Sequence, residues 1–394
     1  MNMERKPKKQ PASLGRLLAN ATKEIVIFLI TIGMIVLAAL AIINRDRLNL
    51  DGVKRWVTYG SLNKDESGQT EEFNVPGDSK CSFSTLDGGV VVCSNRTLQL
   101  FSSSGKEVVN QQITMNNPVI HVEGGYAVVY DVGGKSLYVI HNSDVSFEYT
   151  AQDTCQILSA RVNESGYLAL VEQTAGHKAT VTVYDDQHNP RIGINESTNF
   201  VTDAVVSPDN RSVALVEIYQ SDSSFETDLV MYNVSDATKK DTSRLGESLV
   251  IDLRWRGARI WTQRESGVTV LDRDGNIINS WSESNKYLVR CSLDGSGFAV
   301  EYLSKYKSGS AGELRIIGED GEQSVSRSIS EEVLSVSAAG KYVAVLTTNS
   351  LVIYKDDLQE YASIANTDTR RAIMRDDGSV LLIGTEKARL FIPG

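Results

Sequence analysis

A unit of about 41 residues repeats through this sequence from residue 81 to its end, and no other feature constrains the fold as tightly. The copy at 332–361, EVLSVSAAGKYVAVLTTNSLVIYKDDLQEY, displays it plainly. A short apolar run leads to a Gly turn, then to the alternating stretches YVAVLTT and LVIYKDD, and then to a fourth extended piece. Alternation with period two sends successive side chains to opposite faces, so each stretch reads as a strand. The Gly and Asp turns between them read as antiparallel hairpins.

Units start near Cys81, Pro118, Gln156, Val201, Val250, Leu288, Val333 and Arg370. That spacing is the period of a four-stranded propeller blade. The last unit stops at ARLFIPG, one strand short, while an extended segment, EEFNV at 71–75, precedes the first. If EEFNV supplies the missing outer strand, it completes an eighth blade and locks the ring, which removes the edge that an open array exposes. The expectation is an all-β chain: an eight-bladed β-propeller of four-stranded antiparallel blades over 71–394, or seven blades if one weaker unit is irregular.

The segment before the repeat has a different character. Residues 1–23 are basic, with Arg5, Lys6, Lys8, Lys9, Arg16 and Lys23, and read as a cytoplasmic tail. Residues 25–43, IVIFLITIGMIVLAALAII, carry no charge. At about 1.5 Å per helical residue they match a hydrocarbon core of ~30 Å, so 24–44 reads as a single-pass transmembrane helix acting as a signal-anchor. A signal peptide cleaved near Ala39-Leu40-Ala41 is the alternative. The positive residues precede the span, which puts the N-terminus in the cytoplasm and the propeller outside it. Residues 48–70 read as a juxtamembrane helix and a polar linker. Trp56 and Tyr59 lie at the lipid headgroups in one reading, and Trp56 packs on the body in the other.

Eight basic and three acidic residues give 1–47 a charge of +5, leaving −15 for the rest of a chain whose total is −10. An acidic body excludes a nucleic-acid partner, because phosphate binding needs a basic surface. Four cysteines are too few for a disulfide scaffold. Cys81 and Cys93 flank one hairpin, and either a cross-strand disulfide or two free thiols fits that placement.

Catalytic patterns are missing. His121, His141, His177 and His188 fall in different repeats without metal-ligand spacing. The run Asp272-Arg273-Asp274-Gly275-Asn276 has Ile277 where a calcium loop needs Gly, so it reads as a hairpin turn. No GxSxG, phosphate loop or GxGxxG occurs. No enzyme activity, cofactor or metal is expected.

Two candidate binding regions remain. Arg161, Arg254 and Arg290, with Arg256 and Arg375, fall on first strands, which line a propeller's channel; they would form a cationic throat for an anionic ligand, or else pair locally. The second-to-third loops are long at 172–178, 220–228 and 304–313, and Tyr219, Phe225, Tyr302 and Tyr306 lie in or beside them as candidate partner anchors. In a meandering blade those loops share a face with the blade-to-blade connections, opposite the face where EEFNV begins. The loop face should therefore look away from the membrane.

The turn SPDN at 207–210 and pieces such as VTVYDD resemble WD40-type and TolB-type blades, and LDRDGNIINSW at 271–281 resembles blade ends of the quinoprotein and outer-membrane assembly lipoprotein propellers. Those repeats carry Trp at this position in most blades, whereas here Trp281 alone fits, so no quinone is implied. The layout of basic tail, one span, KRW at 54–56 and propeller resembles a family of Gram-positive bacterial membrane proteins without assigned activity. The resemblance implies a membrane-anchored extracytoplasmic propeller that acts as a protein-interaction or cell-envelope scaffold. A sensor or carrier of a small anionic ligand is the alternative.

Overall fold

A computed structural model describes residues 25–35 and 50–394, apart from 61, 77–79, 223, 284 and 306–310. Residues 25–35 are helical with exposed apolar side chains. Among the described residues no helix is long and apolar enough to cross a membrane. The expected span at 24–44 lies partly outside the described residues.

Eight four-stranded antiparallel sheets follow, each a meander of consecutive strands except the last. First strands begin at 82, 118, 156, 200, 250, 287, 333 and 371, within one residue of the positions read from the repeat. The eighth blade takes its outer strand from the N-terminal side: Phe73–Asn74 pairs with Lys387–Phe391, with Phe73 opposite Ala388 and Asn74 opposite Lys387. The seam extends further than EEFNV. Thr70 donates its backbone N–H to Leu390 O, Val75 to Glu386 O and Ile392 to Gly68 O, so part of the expected linker is laid along the last strand. Lys387 and Arg389 hold Glu72, and Arg389 also holds Asp368.

Burial explains the layering. Second strands such as Gly89–Cys93, Tyr342–Thr347 and Val380–Ile383 are buried at every position, because sheets pack against both of their faces. Fourth strands such as Asp144–Thr150 alternate and face water on one side. The core is divided into eight apolar clusters, one at each blade interface. Seven contain ten or more buried apolar residues. The cluster between blades 5 and 6 has six: Trp261, Val268, Val270, Leu293, Ala299 and Ile317.

That interface also encloses polar groups. Gln263 and Glu301 are fully buried, and Gln263 Nε2 donates to Glu301 Oε1 at 2.7 Å, while Glu301 Oε2 has no partner among the described residues. Burial raises the Glu301 carboxyl above its usual range, and the Gln263 hydrogen bond opposes this only in part.

The Leu50–Tyr59 helix ends on the face that carries the first-to-second turns. Arg55 donates to Asp377 O at 2.5 Å and Tyr361 Oη at 2.8 Å, and Arg375 Nη1 donates to Tyr59 Oη at 2.9 Å. Tyr59 is therefore buried and does not reach the headgroup position expected for it. All four cysteines are free thiols. The first hairpin sets Cys93 opposite Ser82, one residue past Cys81, and a diagonal offset does not align two sulfurs for a bond.

The Glu301 carboxyl yields a pH test. An acid whose folded-state pKa is raised binds more protons folded than unfolded, so its contribution to stability falls as pH rises above the unfolded value near 4.5. Thermal melts of the wild type and Glu301→Gln should show the variant gaining relative stability between pH 4.5 and 8. A difference that does not change with pH would mean that Glu301 is ionised in the folded ring.

Candidate functional site

The arginines singled out in the sequence do lie on or directly after first strands, but carboxylates meet most of them. Arg161, in Gln156–Val162, makes a bidentate contact with Asp203 of blade 4 and reaches Asp252 of blade 5 at 2.9 Å. Arg254 bonds Asp252 at 2.8 Å and Asp294 of blade 6 at 3.0 Å. Arg256 pairs with Asp294 and with Glu123 of blade 2, so the network crosses the channel. Asp252 is pushed up to about 6 by burial and by its acidic neighbours, with Arg161 opposing.

Three guanidinium groups thus face four carboxylates, and the throat is charge-compensated rather than cationic. Arg290 is exposed and spends its donors on two backbone carbonyls, Leu334 O and Val289 O. Of the two readings, a cationic throat or local pairing, Arg161, Arg254 and Arg256 follow the second. One of the throat's four carboxylates was legible, since Asp252, Arg254 and Arg256 alternate on one strand and share a face.

These contacts belong to a hoop of polar bonds that joins neighbouring blades at every junction. Ser82 Oγ donates to Pro118 O, Val162 N to His121 Nδ1, Ser159 Oγ to Asp203, and Arg161 bridges Asp203 to Asp252. Arg254 reaches Asp294, Ala338 N donates to Ser292 Oγ, Ser335 Oγ to Ala372 O, and Arg375 to Gly89 O.

The loop face holds the stronger candidate. The segment 220–228, read as a loop, is the tip of a ten-by-ten-residue hairpin, Ser212–Ser221 and Ser224–Asn233. The first strand of blade 4 follows it only to the pair Phe200–Ile218, and the fourth only to Gly246–Thr227. Tyr219–Glu226, Gln220–Phe225 and Ser221–Ser224 then pair alone, so a two-stranded ribbon projects by roughly 10 Å at about 3.4 Å per residue. Asp222 takes the left-handed conformation its tight turn requires, with φ 47°. Arg244 bonds Glu226 at 3.1 Å and Ser224 Oγ donates to Glu247 at 3.3 Å, bracing the ribbon on the rim.

Phe225 is 61% exposed near the tip. Phe200, Leu249, Ile251 and Tyr287 are also exposed and fall at the loop-face ends of blades 4, 5 and 6 or in the connections between them. Lys178, from the second-to-third loop of blade 3, lies 4.0 Å from the centre of the Phe200 ring. Tyr219 is half-buried and donates its hydroxyl to Glu226. Tyr302 is no anchor: it is fully buried between blades 6 and 7, because Phe298–Ser304 continues as a strand through it. Tyr306 lies outside the described residues.

A third feature, a cavity of ≈ 380 Å³, lies beside the seam between Leu62, Phe73 and Leu390 and the Ser103–Gly105 turn. Among the described residues no group of three or more His, Cys, Asp and Glu side chains is placed to hold a metal ion.

Residues 63–251 match the model of a family of unknown function (DUF5711). No curated protein sequence matches the chain. Among solved structures, the chain resembles BamB from Moraxella catarrhalis, with TM-score 0.53 and 9% identity over 82% of this chain and 99% of that one. It resembles the computationally designed protein Ika8, with TM-score 0.57 and 10% identity over 82% and 99%. It also resembles the C-terminal WD40 domain of Sif2, with TM-score 0.55 and 11% identity over 84% and 99%. At such identities the likeness establishes the propeller fold alone.

Removing Arg161 would leave Asp203 and Asp252 without their shared cation. Arg161→Ala should therefore cost about 3–5 kcal/mol in urea unfolding, the usual range for breaking a buried ion pair from one side. A loss of under ~1 kcal/mol would place the pair in the weak class of surface salt bridges.

Proposed function

We propose that this chain is a membrane-anchored, extracytoplasmic scaffold, non-catalytic, that holds a protein or cell-envelope partner on its loop face. The observation that carries the reading is the projecting ribbon of blade 4, with exposed Phe225 and further exposed apolar side chains on blades 4 to 6. Clustered exposed apolar side chains on a rigid scaffold favour a partner surface, since each gains by leaving water. The helix at Leu50–Tyr59 approaches from the other face, which leaves this one unobstructed. The uncharged stretch at 25–43 supports the anchor, and the basic residues before it support a cytoplasmic N-terminus.

Site-specific photo-crosslinking in intact cells tests the reading. A crosslinker at position 225 should capture a discrete partner, and one at Asp357, on the opposite face, should not. Replacing 219–226 by a two-residue turn should abolish that capture. Unchanged capture with the ribbon removed would rule out this face as the docking surface. A reporter fused after Gly394 that is active only in the cytoplasm would reverse the proposed orientation.

A further inference from the structure

The Leu50–Tyr59 helix presents two unlike faces. Arg55 and Tyr59, four residues apart, point into the ring and are 4% and 2% exposed. Trp56 and Val57 point the other way and are 75% and 71% exposed; Val53, one helical turn earlier, is exposed too. Trp is among the largest apolar side chains, and a monomer gains nothing by holding one in water on a helix it has otherwise fixed in place. The fixation is firm. Arg55 bonds Asp377 O and Tyr361, its guanidinium stands over the Tyr361 ring, and Tyr59 receives Arg375.

The sequence before the helix indicates what covers Trp56. The uncharged stretch 25–43 ends six residues before Leu50, and six extended residues span at most about 20 Å. Arg45, Asp46 and Arg47 fall in that interval, polar side chains suited to the water side of the boundary. Trp favours the boundary between hydrocarbon and water, where the ring is buried and the indole N–H stays hydrogen-bonded. We propose that the Trp56–Val57 face lies in the headgroup region of a lipid bilayer, so that the ring rests with its turn face toward the membrane instead of swinging on a free tether. This rests on the membrane-anchored reading above.

The test uses the full chain reconstituted into phosphatidylcholine–phosphatidylglycerol vesicles, with and without brominated acyl chains that quench Trp emission on contact. Trp255 and Trp261 are buried in the ring, which leaves Trp56 as the most exposed of the four tryptophans. The expected result is flotation with the vesicles, bromolipid quenching of the wild type, and loss of at least half of that quenching in Trp56→Phe, which still floats. Since Trp56 makes no part of the core, the variant should keep the wild-type melting curve. Equal quenching in both proteins, or none in a wild type that floats, overturns the docking and leaves the anchor intact. Failure to float overturns both. An emission shift that depends on protein concentration, without quenching, assigns the face to a second copy of the chain and also overturns the proposal.

Discussion

Apolar packing between neighbouring blades is the interaction on which the rest of this structure depends. No blade has a core of its own: each four-stranded sheet is too thin to bury anything until another sheet covers it. The eight interface clusters are therefore links in a closed chain, and the ring holds only if the last link, between blades 8 and 1, is made. Val90, Val92 and Phe101 of blade 1 and Leu381, Ile383 and Leu390 of blade 8 make that link, with Tyr59 and Val75 completing it from the N-terminal side. Burial of this kind is strong but non-directional. The hoop of hydrogen bonds and ion pairs along the first strands supplies what it lacks, a fixed register from each blade to the next.

Register also explains which parts of the molecule were legible in the sequence. The repeat period and the alternation inside each unit placed every first strand within one residue, because both reflect backbone geometry that tertiary context rarely overrides. Parity would equally have placed Tyr302. It shares a strand face with Phe298 and Val300, which turn into the interface, so its burial follows from the same alternation that identified the strand.

The ribbon of blade 4 and the neutralised throat were less accessible for different reasons. In the ribbon, polar residues such as Gln220, Ser221 and Ser224 hide a strand that has left the sheet, since a ribbon with water on both faces needs no apolar alternation. Only the tight Asp222 turn between paired residues betrays it. In the throat, Asp252 could be matched with Arg254 and Arg256 from one strand, but Asp203, Asp294 and Glu123 come from three other blades. Pairings over such distances follow from ring geometry, and nothing local in the sequence encodes them.

The closing link and the N-terminal helix prove to be one construction. Arg375, at the end of the first strand of blade 8, donates to Gly89 O of blade 1 and to the Tyr59 hydroxyl. One guanidinium thus ties both sides of the last interface to the segment that enters the ring, and Tyr59 adds its own ring to the apolar cluster there. Residues 68–75 then run along the last strand and finish the eighth blade. At the junction that closes the ring, strand pairing, ion pairs and apolar burial therefore act in parallel.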